Sequence, residues 1–172
     1  MSVAGRIHRL ISRAMRTAAP ATAATTAAVA ICGYWEEGEA VAPINAISHI
    51  LWGDSAVKEE GTSIQYTAAG VALNTLAVTS WSLIYEAFFG QAARKGNTSA
   101  AVLGGVTVAG LAYVTDYCIV PKRLTPGFEK RLSPASMLIV YSALAASLPL
   151  TSLLERQAKQ NDRSCADPAT FV

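Results

Sequence analysis

Charge is what this chain of 172 residues has least of: Asp, Glu, Lys and Arg make up 15% of it, against roughly 25% in soluble proteins. Four windows, Thr17 to Trp35, Gly61 to Tyr85, Gly96 to Thr115 and Leu132 to Leu154, hold none of these residues over 19 to 25 positions each. That disfavours a soluble four-helix bundle, whose helices would carry a charge every turn or two on the wet face. Cysteine and histidine are scarce too. Cys32, Cys118, Cys165, His8 and His49 show no C-x-x-C or H-x-x-x-H spacing of the kind that marks a strong metal site. G-x-S-x-G, P-loop and dinucleotide fingerprints are absent, and the cofactor is left unknown. Nucleic acid is not an expected partner, because the basic residues are spread along the chain rather than gathered in a patch.

The charge-free windows themselves are the main signal. A helix rising 1.5 Å per residue needs about 20 residues to cross a hydrocarbon core roughly 30 Å thick. The expected fold is therefore all-α, a four-transmembrane-helix bundle with spans at about 17–35, 64–89, 98–120 and 134–154. A basic cytoplasmic segment, 1–16, precedes it, and a polar tail, 155–172, expected to be disordered, follows. The first window is rich in Ala and Thr and has Pro20 near its start. With Arg6, Arg9, Arg13 and Arg16 ahead of it, it also suits a cleaved signal peptide or a mitochondrial presequence. Tyr34 and Trp35 at its end resemble an interfacial aromatic belt and favour a retained span.

With the N-terminus in the cytoplasm, nine Lys and Arg residues fall on that side and five on the other. The positive-inside rule then puts both termini in the cytoplasm. The outer loops are unlike one another. Residues 36–62 carry Glu36, Glu37, Glu39, Asp54, Glu59 and Glu60 against Lys58, whereas residues 121–133 carry Lys122, Arg123, Lys130 and Arg131 against Glu129. Either these loops dock on one another by charge, or each is solvated and the basic one faces lipid phosphates. Within the first, APINAISHILWGD (Ala42 to Asp54) begins with a proline and ends near a glycine, as short helices do. Its periodicity puts Ile44, Ile47, Ile50 and Leu51 on one side and Asn45, Ser48, His49 and Trp52 on the other. The expectation is an amphipathic interfacial helix with the His49/Trp52 side toward headgroups or the other loop.

Two stripes of small residues end in an acid: Ala68, Ala72, Thr75, Thr79, Ser82 and Glu86 in the second span, and Ala101, Gly105, Ala109, Ala112 and Asp116 in the third. Small stripes let membrane helices approach closely, so these two are expected to face each other. Ionisable residues near or within spans are functional candidates. Glu86 and Asp116 lie at opposite ends of an antiparallel hairpin, about 22 Å apart, so each is assigned a local ion pair, Glu86 with Arg94 or Arg16 and Asp116 with Lys122 or Arg123. A metal or disulfide site could use His49, Asp116, Cys118 and Cys32 near the outer interface. The competing reading is that both cysteines are small apolar fillers.

PINAISHILWGD, WSLIYE and above all DYCIVPKRLTPGFE resemble a group of small, uncharacterised bacterial inner-membrane proteins over roughly residues 34–150. The resemblance implies a four-span layout in that membrane and no established activity. The function expected first is a non-enzymatic scaffold or accessory subunit. Trp52, Lys122, Arg123, Lys130 and Arg131 would contact the lipid bilayer, another membrane protein or a second copy of the chain. The alternative is a small metal- or haem-binding, redox or transport protein using the outer-interface site.

Overall fold

Ser2 caps the first helix, α1 (Val3–Glu37), by accepting from the Gly5 N–H at 3.2 Å, and Gly38 ends it in the left-handed region at φ 76°. Three short helices follow, α2 (Ala42–Ile47), α3 (His49–Trp52) and α4 (Asp54–Lys58). After them come α5 (Ile64–Phe88), α6 (Gly90–Arg94) and α7 (Thr98–Val114), which runs into a π-helical turn, Thr115–Ile119. A 3-10 turn, Phe128–Lys130, leads to α8 (Pro134–Ala166). The computed structural model describes residues 2–166, and among them there is no strand.

Three segments are long and apolar enough to cross a membrane: Ile64–Phe88, Thr98–Ile119 and Pro134–Ala158. Their outer surfaces carry Leu76, Leu103, Val106, Leu111, Leu138 and Ile139, all exposed. Exposed hydroxyls on α5 are satisfied within the helix, Thr75 by the Val71 carbonyl at 2.7 Å, Thr79 by Thr75 at 2.7 Å and Ser80 by Leu76 at 3.0 Å. That is the condition for a polar atom facing hydrocarbon.

The Ala- and Thr-rich helix α1 lies between α5 and α8 and is matched to them end to end. Arg16 pairs with Glu155 at 3.2 Å, while Glu36 accepts hydrogen bonds from the hydroxyls of Ser133 and Ser136 and from the Ser133 N–H at 2.8 Å. Against α5, Thr17 meets Glu86 at 2.8 Å, and Asn74 donates to Thr26 at 3.0 Å and Thr25 at 3.3 Å. Prolines shape these contacts. Pro20 has no N–H for the Arg16 carbonyl, and the Thr151 hydroxyl takes that acceptor in a long contact of 3.5 Å. Pro149 frees the Ala145 carbonyl in the same way, and Gly105 of α7 lies directly against it.

That contact corrects the expected seam. Ala101, Gly105, Ala109 and Ala112 are buried as the stripe required, but Gly105 is buried against α8 rather than α5. On α5, Ala68, Ala72 and Thr75 face outward and Ser82 and Glu86 face inward. The close contacts of α5 with α7 lie near the connection between them, where Tyr85 donates to the Ala101 carbonyl at 3.3 Å and the Phe89 ring sits against Gly104. A second correction concerns the tail. Residues 155–166 continue α8 as helix, and the rest of the expected disordered tail lies outside the described residues.

Candidate functional site

One end of the bundle is closed by a cap of three short helices rather than the single amphipathic helix expected. Every residue from Ala42 to His49 is buried. The sequence pattern put Asn45, Ser48 and His49 on the side toward headgroups or the other loop; all three are buried, and the His49 ring lies against Gly127 of that loop. Asn45 donates to the carbonyls of Glu59 at 3.0 Å and Gly61 at 2.8 Å and accepts from Thr67 at 2.6 Å. Ser48 donates to the Asn45 carbonyl at 2.8 Å. His49, 3% exposed, places Nδ1 3.0 Å from the Ala46 carbonyl, which makes Nδ1 the protonated nitrogen, and its buried Nε2 has no hydrogen-bond partner. Leu51 and Trp52, by contrast, are exposed.

The basic loop folds over this cap. Gly127, at φ 93°, occupies the left-handed position that a Pro-Gly turn requires, and its bare Cα lies against the Ala46 carbonyl and the His49 ring. Glu129 fixes the turn by accepting from the Gly127 N–H at 2.6 Å and from the Thr125 hydroxyl. The two loops of opposite charge meet through part of their charge. Lys130 lies 3.7 Å from Asp54, and Arg131 lies 3.4 Å from Glu37 and 3.9 Å from Glu60. The Arg131 Nε contact with Glu37 is an ion pair without hydrogen-bond alignment. Lys122 and Arg123 are exposed and make no ion pair among the described residues. At the base of α1, Glu36 receives three hydrogen bonds from the start of α8, led by the Ser133 hydroxyl, and these hold its carboxyl below the usual carboxylate range.

Beneath the cap, α5, α8 and the cap-side end of α7 line a half-open cleft of about 120 Å³. Ile47, Ile50, Pro126 and Phe128 roof it, Leu73, Ala77 and Trp81 of α5 form one wall, and Ala112, Asp116, Tyr141 and Leu144 form the other. Asp116 sits in the π-helical turn, a distortion frequent at functional sites. It accepts a hydrogen bond from Tyr141 at 2.6 Å and, contrary to the expectation of a pair with Lys122 or Arg123, has no basic partner among the described residues. Tyr141 is also the centre of an aromatic cluster, with Tyr113 at 5.3 Å, Tyr117 at 6.2 Å and Phe128 at 6.4 Å between ring centroids.

A second polar cluster closes the opposite end. Glu86, 4% exposed, pairs with Arg94 at 2.6 Å and accepts from Thr17 at 2.8 Å and Ser152 at 3.4 Å. Arg94 also reaches Ser152 at 3.4 Å. Four helices, α1, α5, α6 and α8, thus meet on one carboxylate. Of the two expected bases Arg94 is the partner, while Arg16 goes to Glu155.

The four metal candidates are not brought together. Cys32 is fully buried among Val29, Ile44 and Val140, whereas Cys118 is exposed, and both thiols are free. Among the described residues no three His, Cys, Asp or Glu side chains form a group able to hold a metal. Asn74 and Trp81 read in the sequence as motif positions without a site role, although an amide within an apolar span is a usable signal, and Tyr141, which bonds Asp116, is not singled out there. No protein-family model, curated protein or solved structure matches this chain. Its class rests on three apolar helices compatible with a membrane protein.

Proposed function

We propose that the chain is a four-span integral membrane protein of a bacterial inner membrane, with both termini cytoplasmic. It acts as a non-enzymatic scaffold or accessory subunit whose outer cap meets anionic headgroups or a partner protein. The observation that carries this reading is the end-to-end match of α1 with α8, from Arg16–Glu155 to Glu36–Ser133. A helix without charge from Thr17 to Trp35, fastened at both ends to a helix of spanning length, shares its depth. Exposed Tyr34, Trp35 and Trp52 at the cap end suit an interfacial belt. The positive-inside bias gives the orientation, and the resemblance of the DYCIVPKRLTPGFE stretch supports the location. Because Lys130 and Arg131 are engaged within the cap, outward contact falls to Lys122, Arg123 and Trp52.

Fusion reporters test this. One placed after Lys159 reads cytoplasmic and one inserted beside Glu59 reads periplasmic. Finding both on one side contradicts the four-span layout, and a third reporter ahead of Arg6 that reads on the same side as Glu59 removes α1 as a span. A second reading, small-molecule binding or transport, is favoured by the cleft lined by α5 and α8, whose wall holds a carboxyl, Asp116, with no basic partner among the described residues.

A further inference from the structure

Three properties of the cavity under the cap constrain what it can hold. The first is size: about 120 Å³ in a half-open cleft takes one ring-sized group, and the rest of a larger ligand lies at its mouth. The second is lining. Thr25, Asn74, Asp116 and Tyr141 are its oxygen-bearing side chains, and the remainder is aliphatic, proline or aromatic. Two of those four, Asp116 and Tyr141, already bond to each other, and Asn74 donates to Thr25. Among the described residues no group of three His, Cys, Asp or Glu side chains able to hold a metal ion gathers there. The third is charge. Asp116 has no basic partner among the described residues, and its one side-chain partner there is the Tyr141 hydroxyl.

A carboxylate in an apolar wall, with Trp81, Tyr141 and Phe128 around the same space, suits a positive centre that is itself poorly hydrated. Aromatic faces attract such centres, Trp most strongly, and an unpaired carboxylate in low dielectric adds a Coulombic term larger than any available in water. We propose that the cleft between α5, α8 and the π-helical turn that follows α7 binds a lipophilic organic cation, its apolar body against Leu73, Ala77 and Leu144 and its cationic head beside Asp116. The π-helical turn at Thr115–Ile119 is then the distortion that carries the carboxyl. The inference goes beyond the scaffold reading and needs the four-span topology solely for ligand entry from lipid. Binding in detergent micelles tests it independently of the reporters above.

The probes are phenyltrimethylammonium and tert-butylbenzene, which share a shape and differ in charge. Binding is read by Trp81 fluorescence in a Trp35→Phe, Trp52→Phe background, after correction for partition into protein-free micelles. The expected result is that the cation binds at least tenfold more tightly than its neutral isostere, and that Asp116→Asn removes this preference while tert-butylbenzene still binds. Equal binding of the two probes to the wild-type cleft overturns the proposal, as does an affinity for the cation that survives Asp116→Asn. If Asp116→Asn holds neither probe, Ala77→Phe decides, because it fills the cleft without touching the carboxyl. It has to abolish binding of both, and cation binding that persists there places the site elsewhere.

Discussion

The hydroxyl of Thr17 on α1 donates to Glu86 Oε1 on α5 at 2.8 Å, across 69 positions of sequence. The other oxygen of the same carboxylate holds Arg94 at 2.6 Å. Glu86 is nearly inaccessible and Arg94 is 20% exposed, so each charge depends on the other for its solvation. Removing one member of a buried pair typically costs about 3–5 kcal/mol, much more than replacing both by apolar groups. Glu86→Leu or Arg94→Leu should each lower the unfolding midpoint in detergent sharply, and the double variant should lose less than the two single losses combined. Additive losses would mean that the pair is not coupled.

Two glycines on one helix give an opposed pair of expectations. A methyl group on Gly105 would overlap the Ala145 carbonyl of α8, whereas one on Gly110 would meet nothing within 4 Å. Gly105→Ala should therefore destabilise by about 1–3 kcal/mol, the usual range for overpacking. Gly110→Ala should be neutral or stabilise by up to about 1 kcal/mol through helix propensity. Equal thermal shifts in both variants would contradict the close contact of α7 with α8.

Glu36 makes the outer end of α1 sensitive to acid. Its carboxyl, ordinarily at 4.5, is held lower by the Ser133 hydroxyl, then the Ser136 hydroxyl and the Ser133 N–H. A carboxyl lowered on folding contributes stability that is present above its unfolded value and is lost as pH falls through the folded one. The difference in stability between wild type and Glu36→Gln should be constant above about pH 5 and shrink below pH 4.5. A difference that persists at pH 2–3 would rule out an ionised Glu36 as its source.

Particular residues show where sequence reasoning stopped. The charge-free windows located α5, α7 and α8, because the absence of charge over a spanning length is a local property. The stripe from Ala101 to Ala112 identified the buried face of α7 but named the wrong neighbour. Periodicity fixes which face is buried, and the partner across it depends on the Ala145 carbonyl freed by Pro149. The cap was misread for a related reason. Asn45 looks like a polar-face residue in sequence, and nothing local reveals that Glu59, Gly61 and Thr67 satisfy it, while Ser48 turns its hydroxyl back to the Asn45 carbonyl. The cavity was not legible at all, since it is made by segments from all four long helices and both outer loops.

The cap supplies the last prediction, and it reassigns the charges expected to hold it. Lys122 and Arg123 are exposed without ion pairs among the described residues, whereas Arg131, 19% exposed, lies between Glu37 and Glu60. A single exposed pair is worth about 0–1 kcal/mol, but Arg131→Glu removes two attractions and adds two repulsions at one point. It should loosen the loop whose Gly127 covers His49. The unpartnered Nε2 of His49 would then react with diethyl pyrocarbonate, followed by mass spectrometry with exposed His8 as the internal reference. Lys122→Glu combined with Arg123→Glu should leave His49 protected. Adding Glu37→Lys and Glu60→Lys to Arg131→Glu should restore protection, and both effects should weaken at salt concentrations where the Debye length falls below about 8 Å. Equal reactivity of His49 in all these variants would show that burial of Ala42–His49 alone, rather than the Arg131 contacts, keeps the cap closed.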